Sequence, residues 1–246
     1  QYDLLQFVEL VGDRPPADIT FRDVDQFVNQ QASQHFQAST INRRLACLTS
    51  FYTFLSDEDP SLVCPVLPHR HYLVEREHLP RPVQFDQLRD FFSAIDRAIS
   101  DGSQEAMRDR AMFTLMLRCG LRIGEVANLL LSDLFLDESH PRLVARGKGS
   151  RERSVYLSPQ AEQALRAYLL LRTTTKCEFV FLSYQKKGMS TTAIHKRLMR
   201  YRAASQTCLT AHRLRHPFAN DLISANVPVT SIQKLMGHRW LETTQT

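Results

Sequence analysis

Residues 142–157 read RLVARGKGSRERSVYL, and this stretch decides the fold class. Two short runs, 142–146 and 152–157, flank Gly147-Lys148-Gly149-Ser150. A glycine-rich break between two such runs is a hairpin signal. A further short strand is expected at 179–182. On either side of the hairpin the apolar spacing changes to that of helices. Toward the N-terminus helices are expected at 85–99, 104–118 and 123–131, with Gly120 suited to the left-handed end of the second. Toward the C-terminus they are expected at 159–172, 191–203, 211–225 and 229–236. The chain therefore reads as mainly α (α+β), with one small antiparallel sheet.

Farther out, the first part of the chain reads as a helical module. Residues 21–34 place Phe21, Val24, Phe27 and Val28 on one stripe, opened by Thr20 with Asp23 three residues later, a capping-box spacing. Residues 39–55 repeat the stripe with Ile41, Leu45, Leu48, Phe51, Tyr52 and Leu55. Residues 57–71 are rich in Pro, Asp and His and read as loop or short turns. YLVEREHLPRP, residues 72–82, reads as a linker ending between prolines. The expected division is a helical module over 1–75, a linker over 76–82 and a second domain over 83–246.

Charge is divided unevenly between these parts. Residues 1–78 hold 6 Lys/Arg against 11 Asp/Glu, a balance of −5, while residues 79–246 hold 25 against 15, a balance of +10. The basic surplus of the second part suits a polyanion partner, though a basic soluble domain would show it too. No apolar run approaches the roughly 18 residues of a membrane span, so no membrane partner is expected. The five cysteines, Cys47, Cys64, Cys119, Cys177 and Cys208, never form C-x-x-C. That favours reduced thiols and a cytoplasmic setting. Cys64, His69, His71 and His78 share a short stretch, but no zinc spacing fits, and no metal site is expected.

Three further strings carry chemistry: CGLRIGE at 119–125, HRLRHPF at 212–218 and LMGHRW at 235–240. Arg122 would begin a helix three residues before Glu125, and a plain pair with that glutamate is one reading. His212 and Arg215, three apart, share a helix face behind the cap Thr210, where the first turn favours an anion. A solvated His/Arg face is the plainer alternative. Lys148 in a G-K-G turn and His238 after a glycine helix stop each have an equally ordinary explanation.

Taken together and in order, Arg122, Lys148, His212-x-x-Arg215 and His238 resemble the active-site series of the tyrosine recombinases, the phage-integrase and Xer-type family. The resemblance covers roughly residue 79 to the end, and the preceding module is similar in size and position to the family's helical, SAM-like core-binding domain. It implies a C-shaped clamp on double-stranded DNA and four protomers on two paired sites. Cutting and rejoining would proceed through a 3′-phosphotyrosyl link, with no cofactor and no metal. It assigns Arg122 and Arg215 to the non-bridging phosphate oxygens, a task that suits permanently charged, forked donors. His212 would hydrogen-bond or move a proton at the phosphate, His238 would hydrogen-bond a phosphoryl oxygen, and Lys148 would protonate the leaving 5′ oxygen. Arg146, Arg151 and Arg153 read as contacts to the DNA backbone. Thr40, Asn42, Arg43 and Arg44 would open a helix lying on DNA.

Two residues depart from the pattern. Pro217 follows His216 where a small residue is usual, removing the hydrogen bond to the Arg213 carbonyl. Met236 precedes Gly237-His238 where the family has leucine. The family's nucleophilic tyrosine stands nine residues after the last histidine, which is the position after Thr246. Without that tyrosine, residues 1–246 are expected not to cleave. Two other readings stay open: a non-catalytic DNA-binding protein of the same fold, and a type IB topoisomerase, which shares the chemistry.

Overall fold

The computed structural model describes residues 2–75, 84–147 and 152–236. Lys148, Arg151, His238 and His78, the hairpin turn at 148–151 and the linker at 76–82 lie outside the described residues. The chain forms two compact units, Gln1–His78 and Leu79–Thr246.

The first unit contains α1 (Tyr2–Val11), α2 (Phe21–Ser33), α3 (Ala38–Glu58) and the short α4 (Pro68–His71). At the start of α2, the Asp23 carboxylate accepts from both the backbone N–H and the hydroxyl of Thr20, each at 2.7 Å. The stripe from α2 then meets that of α3 in a core of Phe7, Val24, Phe27, Ile41, Leu45, Leu48 and Tyr52. Phe7, from α1, packs edge-on to Phe27 at 5.2 Å. Phe21 differs from expectation: it stays 40% exposed, with the Arg70 guanidinium 5.3 Å from its ring centre. His71 is buried, accepting at Nδ1 from the Leu67 N–H at 2.9 Å with Nε2 3.3 Å from Asp25. Its ring thus pins α4 to α2. Among the described residues, no cluster of three or more His, Cys, Asp or Glu could hold a metal ion.

The second unit runs α5 (Phe85–Ser100), α6 (Gln104–Arg118), α7 (Ile123–Ala127), β1 (Leu134–Phe135), β2 (Arg142–Arg146), β3 (Glu152–Tyr156), α8 (Pro159–Leu171), α9 (Thr191–Ala204), α10 (Ala211–Ser224) and α11 (Val229–Met236). Ser103, Ser158 and Ser190 cap α6, α8 and α9 through their hydroxyls, each satisfying an otherwise unpaired N–H of a first turn. The sheet is antiparallel in the order β1-β2-β3. Leu143 pairs with Val155, and both are buried.

The central element is α6, buried on most of its surface and packed against α5, α8 and α10. It also buries a charge. Asp109, wholly enclosed, accepts at one oxygen from Arg108 (3.0 and 3.1 Å) and at the other from Arg197 (2.6 Å) and the Tyr201 hydroxyl (3.0 Å). That carboxylate ties α6 to α9. Burial, with Asp109 alongside, pushes the Tyr201 phenol up to about 12.

Two elements differ from the sequence expectation. The helix expected over 123–131 stops at Ala127, because buried Asp133 accepts from the Leu130 N–H at 3.0 Å and organises a tight turn. That turn leads into β1. Residues 179–182 make only isolated bridges, Leu130 to Phe179 and Leu182 to Gly188. The helix α10 continues through Pro217 to Ser224.

Candidate active site

The turn after α6 places the first arginine. Gly120 has φ +63, and a Cβ there would lie 2.4 Å from the Phe218 ring. Only glycine allows this backbone so close to α10. Arg122 then stands as the N-cap residue of α7. Its backbone N–H donates to Glu125 Oε2 at 2.7 Å, and its Nη1 to Oε1 at 3.0 Å. The Arg122 side chain remains 40% exposed while that of Glu125 is 3% exposed. With five residues, α7 is too short to add much of a helix-dipole field at Arg122.

Glu125 has a second partner. Arg153 of β3, expected from sequence on the DNA-facing surface, is instead 14% exposed and forked onto both Glu125 oxygens at 2.6 and 2.9 Å. Its Nε donates to the Leu235 carbonyl at 2.8 Å. Burial alone would raise the Glu125 acid. The Arg153 fork, the Arg122 N–H and the two arginine charges outweigh it and hold the group below its ordinary value.

Arg215 comes from the second turn of α10, whose cap Thr210 accepts from the Arg213 N–H at 3.2 Å. It is 3% exposed and donates one Nη to the Met236 carbonyl. Its Nε and other Nη are buried with no hydrogen-bond partner among the described residues. Burial and then the Arg122 charge push this guanidinium down to about 9, with Glu125 opposing and Arg153 adding to the fall. Arg215 stays charged at neutral pH, in a place where a second cation is nearby and donors are unsatisfied. A buried donor without a partner is costly, and an anion accepting from Nε and Nη would relieve both strains at once.

His212, one turn before His216, is exposed, and the two rings meet edge-on at 4.6 Å. Burial lowers the pKa of His216, with the His212, Arg213 and Arg215 charges adding to the effect. Arg122, Glu125, Arg153 and Arg215 are thus one electrostatic group, and α11 ends against it. Glu125 as a shared partner was the residue missed by sequence reasoning. One signal was available for Arg153: it stands two residues before buried Val155 on β3, so the two share the inward face of that strand.

The other expected DNA contacts divide. Arg146 is 45% exposed, 2.8 Å from buried Asp133 and 3.3 Å from Glu152. In the first unit Thr40 is partly exposed, and Arg43 is 60% exposed and paired with Asp3. Asn42 and Arg44 are turned inward. Asn42 donates to the Leu73 carbonyl and Glu75 and accepts from the Leu73 N–H, fixing the chain after α4 onto α3. Arg44 is 5% exposed, with its guanidinium 4.3 Å from the Phe36 ring centre. Neither side chain lies on the open face expected of it.

The family model for the phage integrase family matches residues 82–246, and that for the phage integrase N-terminal SAM-like domain matches residues 1–59. The chain is 28% identical to tyrosine recombinase XerC of Listeria welshimeri, over 99% of this chain and 83% of that protein. It is 32% identical to tyrosine recombinase XerC of Pelotomaculum thermopropionicum, over 94% of this chain and 76% of that protein. Among solved structures, XerH site-specific recombinase bound to palindromic difH substrate superposes with a TM-score of 0.79 at 19% identity, over 99% of this chain and 73% of that one. That last likeness is one of fold. With its two domain models matched in order and these relatives spanned over most of their length, the chain belongs to the phage integrase family of tyrosine recombinases.

Proposed function

We propose that this protein is a site-specific recombinase that cuts and rejoins double-stranded DNA. The observation that carries the reading is Arg215, buried, next to the Arg122 charge, with two donors lacking a partner among the described residues. In the proposed step a tyrosine hydroxyl attacks the scissile phosphorus, and the bond to the 5′ oxygen breaks. A 3′-phosphotyrosyl link forms and the 5′ oxygen takes up a proton. Charge on the non-bridging oxygens grows toward the transition state, and Arg122 and Arg215 are the groups set to meet it. His212, at the first turn of α10, is assigned a hydrogen bond or proton transfer at the phosphate. Lys148 is assigned the proton for the leaving oxygen and His238 a bond to a phosphoryl oxygen. The phosphotyrosyl link keeps the bond energy, so rejoining balances without ATP.

In this reading the first unit, through the face around Thr40 and Arg43, holds DNA, and four protomers act on paired sites. The test is a nicked suicide duplex incubated with the full-length gene product. A covalent protein–DNA adduct is expected. A full-length chain with its tyrosine intact that binds DNA but forms no adduct would leave a non-catalytic DNA-binding protein. Relaxation of supercoiled plasmid without pairing of two sites would point to topoisomerase behaviour instead.

A further inference from the structure

Arg153 stands where three segments meet. Its stem rises from β3, two of its nitrogens fork onto Glu125 of α7 at 2.6 and 2.9 Å, and the third donates to the Leu235 carbonyl in the last turn of α11 at 2.8 Å. All three nitrogens are committed within the protein, and the side chain is 14% exposed. A DNA phosphate would have to compete with a forked carboxylate for it, and that pair is among the stronger contacts a guanidinium makes.

The second consideration is Glu125. Its carboxylate is 3% exposed and is shared between Arg153 and Arg122. Without Arg153 the buried carboxylate would keep Arg122 as its hydrogen-bond partner, with the Arg215 charge nearby, and would hold the Arg122 guanidinium more tightly to the protein. A buried charge that loses its main partner is strongly unfavourable, so the pull would be substantial. The third is α11. Arg153 and Arg215 donate to its last two carbonyls, Leu235 and Met236, immediately before Gly237 and His238 in the chain.

We propose that Arg153 is a positioning residue of the cleavage reaction. It shares the Glu125 charge with Arg122, so that the carboxylate's pull on Arg122 is reduced, and it fixes the last turn of α11 to the same carboxylate. This rests on the recombinase reading and replaces the backbone-phosphate role expected of Arg153 from sequence alone.

The experiment uses the full-length chain and its Arg153→Ala, Arg153→Lys, Glu125→Gln and Arg153→Ala/Glu125→Gln variants. Measured are DNA affinity over a salt series, the single-turnover rate of covalent adduct formation on a suicide duplex, and thermal melting. Arg153→Ala is expected to slow adduct formation by about 100-fold, the scale of a reacting group displaced by about 1 Å, with affinity changed by less than about threefold. Removing the unbalanced carboxylate in the double variant is expected to recover at least about tenfold of that loss, a coupling that independent sites would not show. Arg153→Lys, which keeps the charge without the fork, is expected to fall between wild type and Arg153→Ala. It carries the same comparison should the alanine variant not fold.

Affinity and adduct rate falling together, with the salt slope reduced by about one phosphate contact, would make Arg153 a DNA contact and overturn the inference. So would a double variant no faster than Arg153→Ala. Wild-type protein that forms no adduct would instead sink the recombinase reading itself.

Discussion

At the scale of single residues, the sharpest expectation concerns Arg215. Arg215→Ala should reduce adduct formation by roughly 10²–10³-fold for each transition-state donor lost and leave duplex affinity nearly unchanged, as read by single-turnover cleavage beside a binding titration. Equal loss in both would make Arg215 an anchor. The ordered resemblance to the family's active-site series, rather than either short string alone, singled out Arg122 and Arg215. It did not show which way Asn42 and Arg44 point. Arg44 lies three residues after Ile41 and four before Leu48, on the same stripe that forms the core of α3. The period placed it inward, while its charge suggested the outside. A stacked aromatic ring and a distant carboxylate, neither adjacent in sequence, settled the matter in favour of the period. Glu125 was legible only as a local partner of Arg122, since its second partner comes from another strand.

Among elements, the junction of α6 with α9 rests on Asp109. Asp109→Ala would leave buried Arg108 without its carboxylate and Arg197 with Glu105 alone, and about 3–5 kcal/mol of stability should be lost, measured by urea unfolding of the full chain. Tyr201→Phe removes one hydrogen bond from the same group and should cost only about 1 kcal/mol. A pH effect belongs to α4. Burial, opposed by Asp25 and assisted by Arg70, lowers the pKa of His71 below 6.5. The unfolded chain then binds the proton more readily, so this contribution is full above pH 6.5 and is lost as pH falls from there toward the folded value. Melting of wild type should decline between pH 7.5 and 5.5 more steeply than that of His71→Gln. Helix existence followed the apolar period well, from α5 to α11. The premature end of α7 did not, because its cause is a side-chain cap from Asp133 that supplies the turn into β1. The strand expected at 179–182 failed for a different reason: Phe179-Val180-Phe181-Leu182 is a continuous apolar run, and it makes only isolated bridges among the described residues.

For the whole molecule, the unequal charge of the two parts sets the expected salt response of DNA binding. Binding should weaken steeply with salt, with log K falling by about 0.9 per phosphate neutralised for each unit of log salt. The basic surplus of residues 79–246 leads us to expect a slope of about −5 or steeper, and a value shallower than about −2 would speak against a phosphate-dominated interface. Arg43→Ala should lower affinity alike for cognate and unrelated duplexes and flatten the slope by about one unit, as a salt titration of both duplexes would register. The change in charge and the proline-bounded segment led to the expected division at 75–83, and the chain's compact units are Gln1–His78 and Leu79–Thr246. The partnership of β3, α7 and α11 was not readable in the sequence, because it depends on contacts between residues 28 and 82 positions apart.

The close fit of Gly120 under Phe218 also bears on how such a protein can change through descent. An aromatic ring at 218 forbids any side chain at 120, and the positive φ discourages one even after the ring has shrunk. Drift at these two sites is therefore ordered: the ring must be lost before the glycine can be, and a lineage that has filled position 120 cannot regain the ring. In a library randomised at both codons and selected for recombination, survivors with phenylalanine at 218 should be almost uniformly glycine at 120.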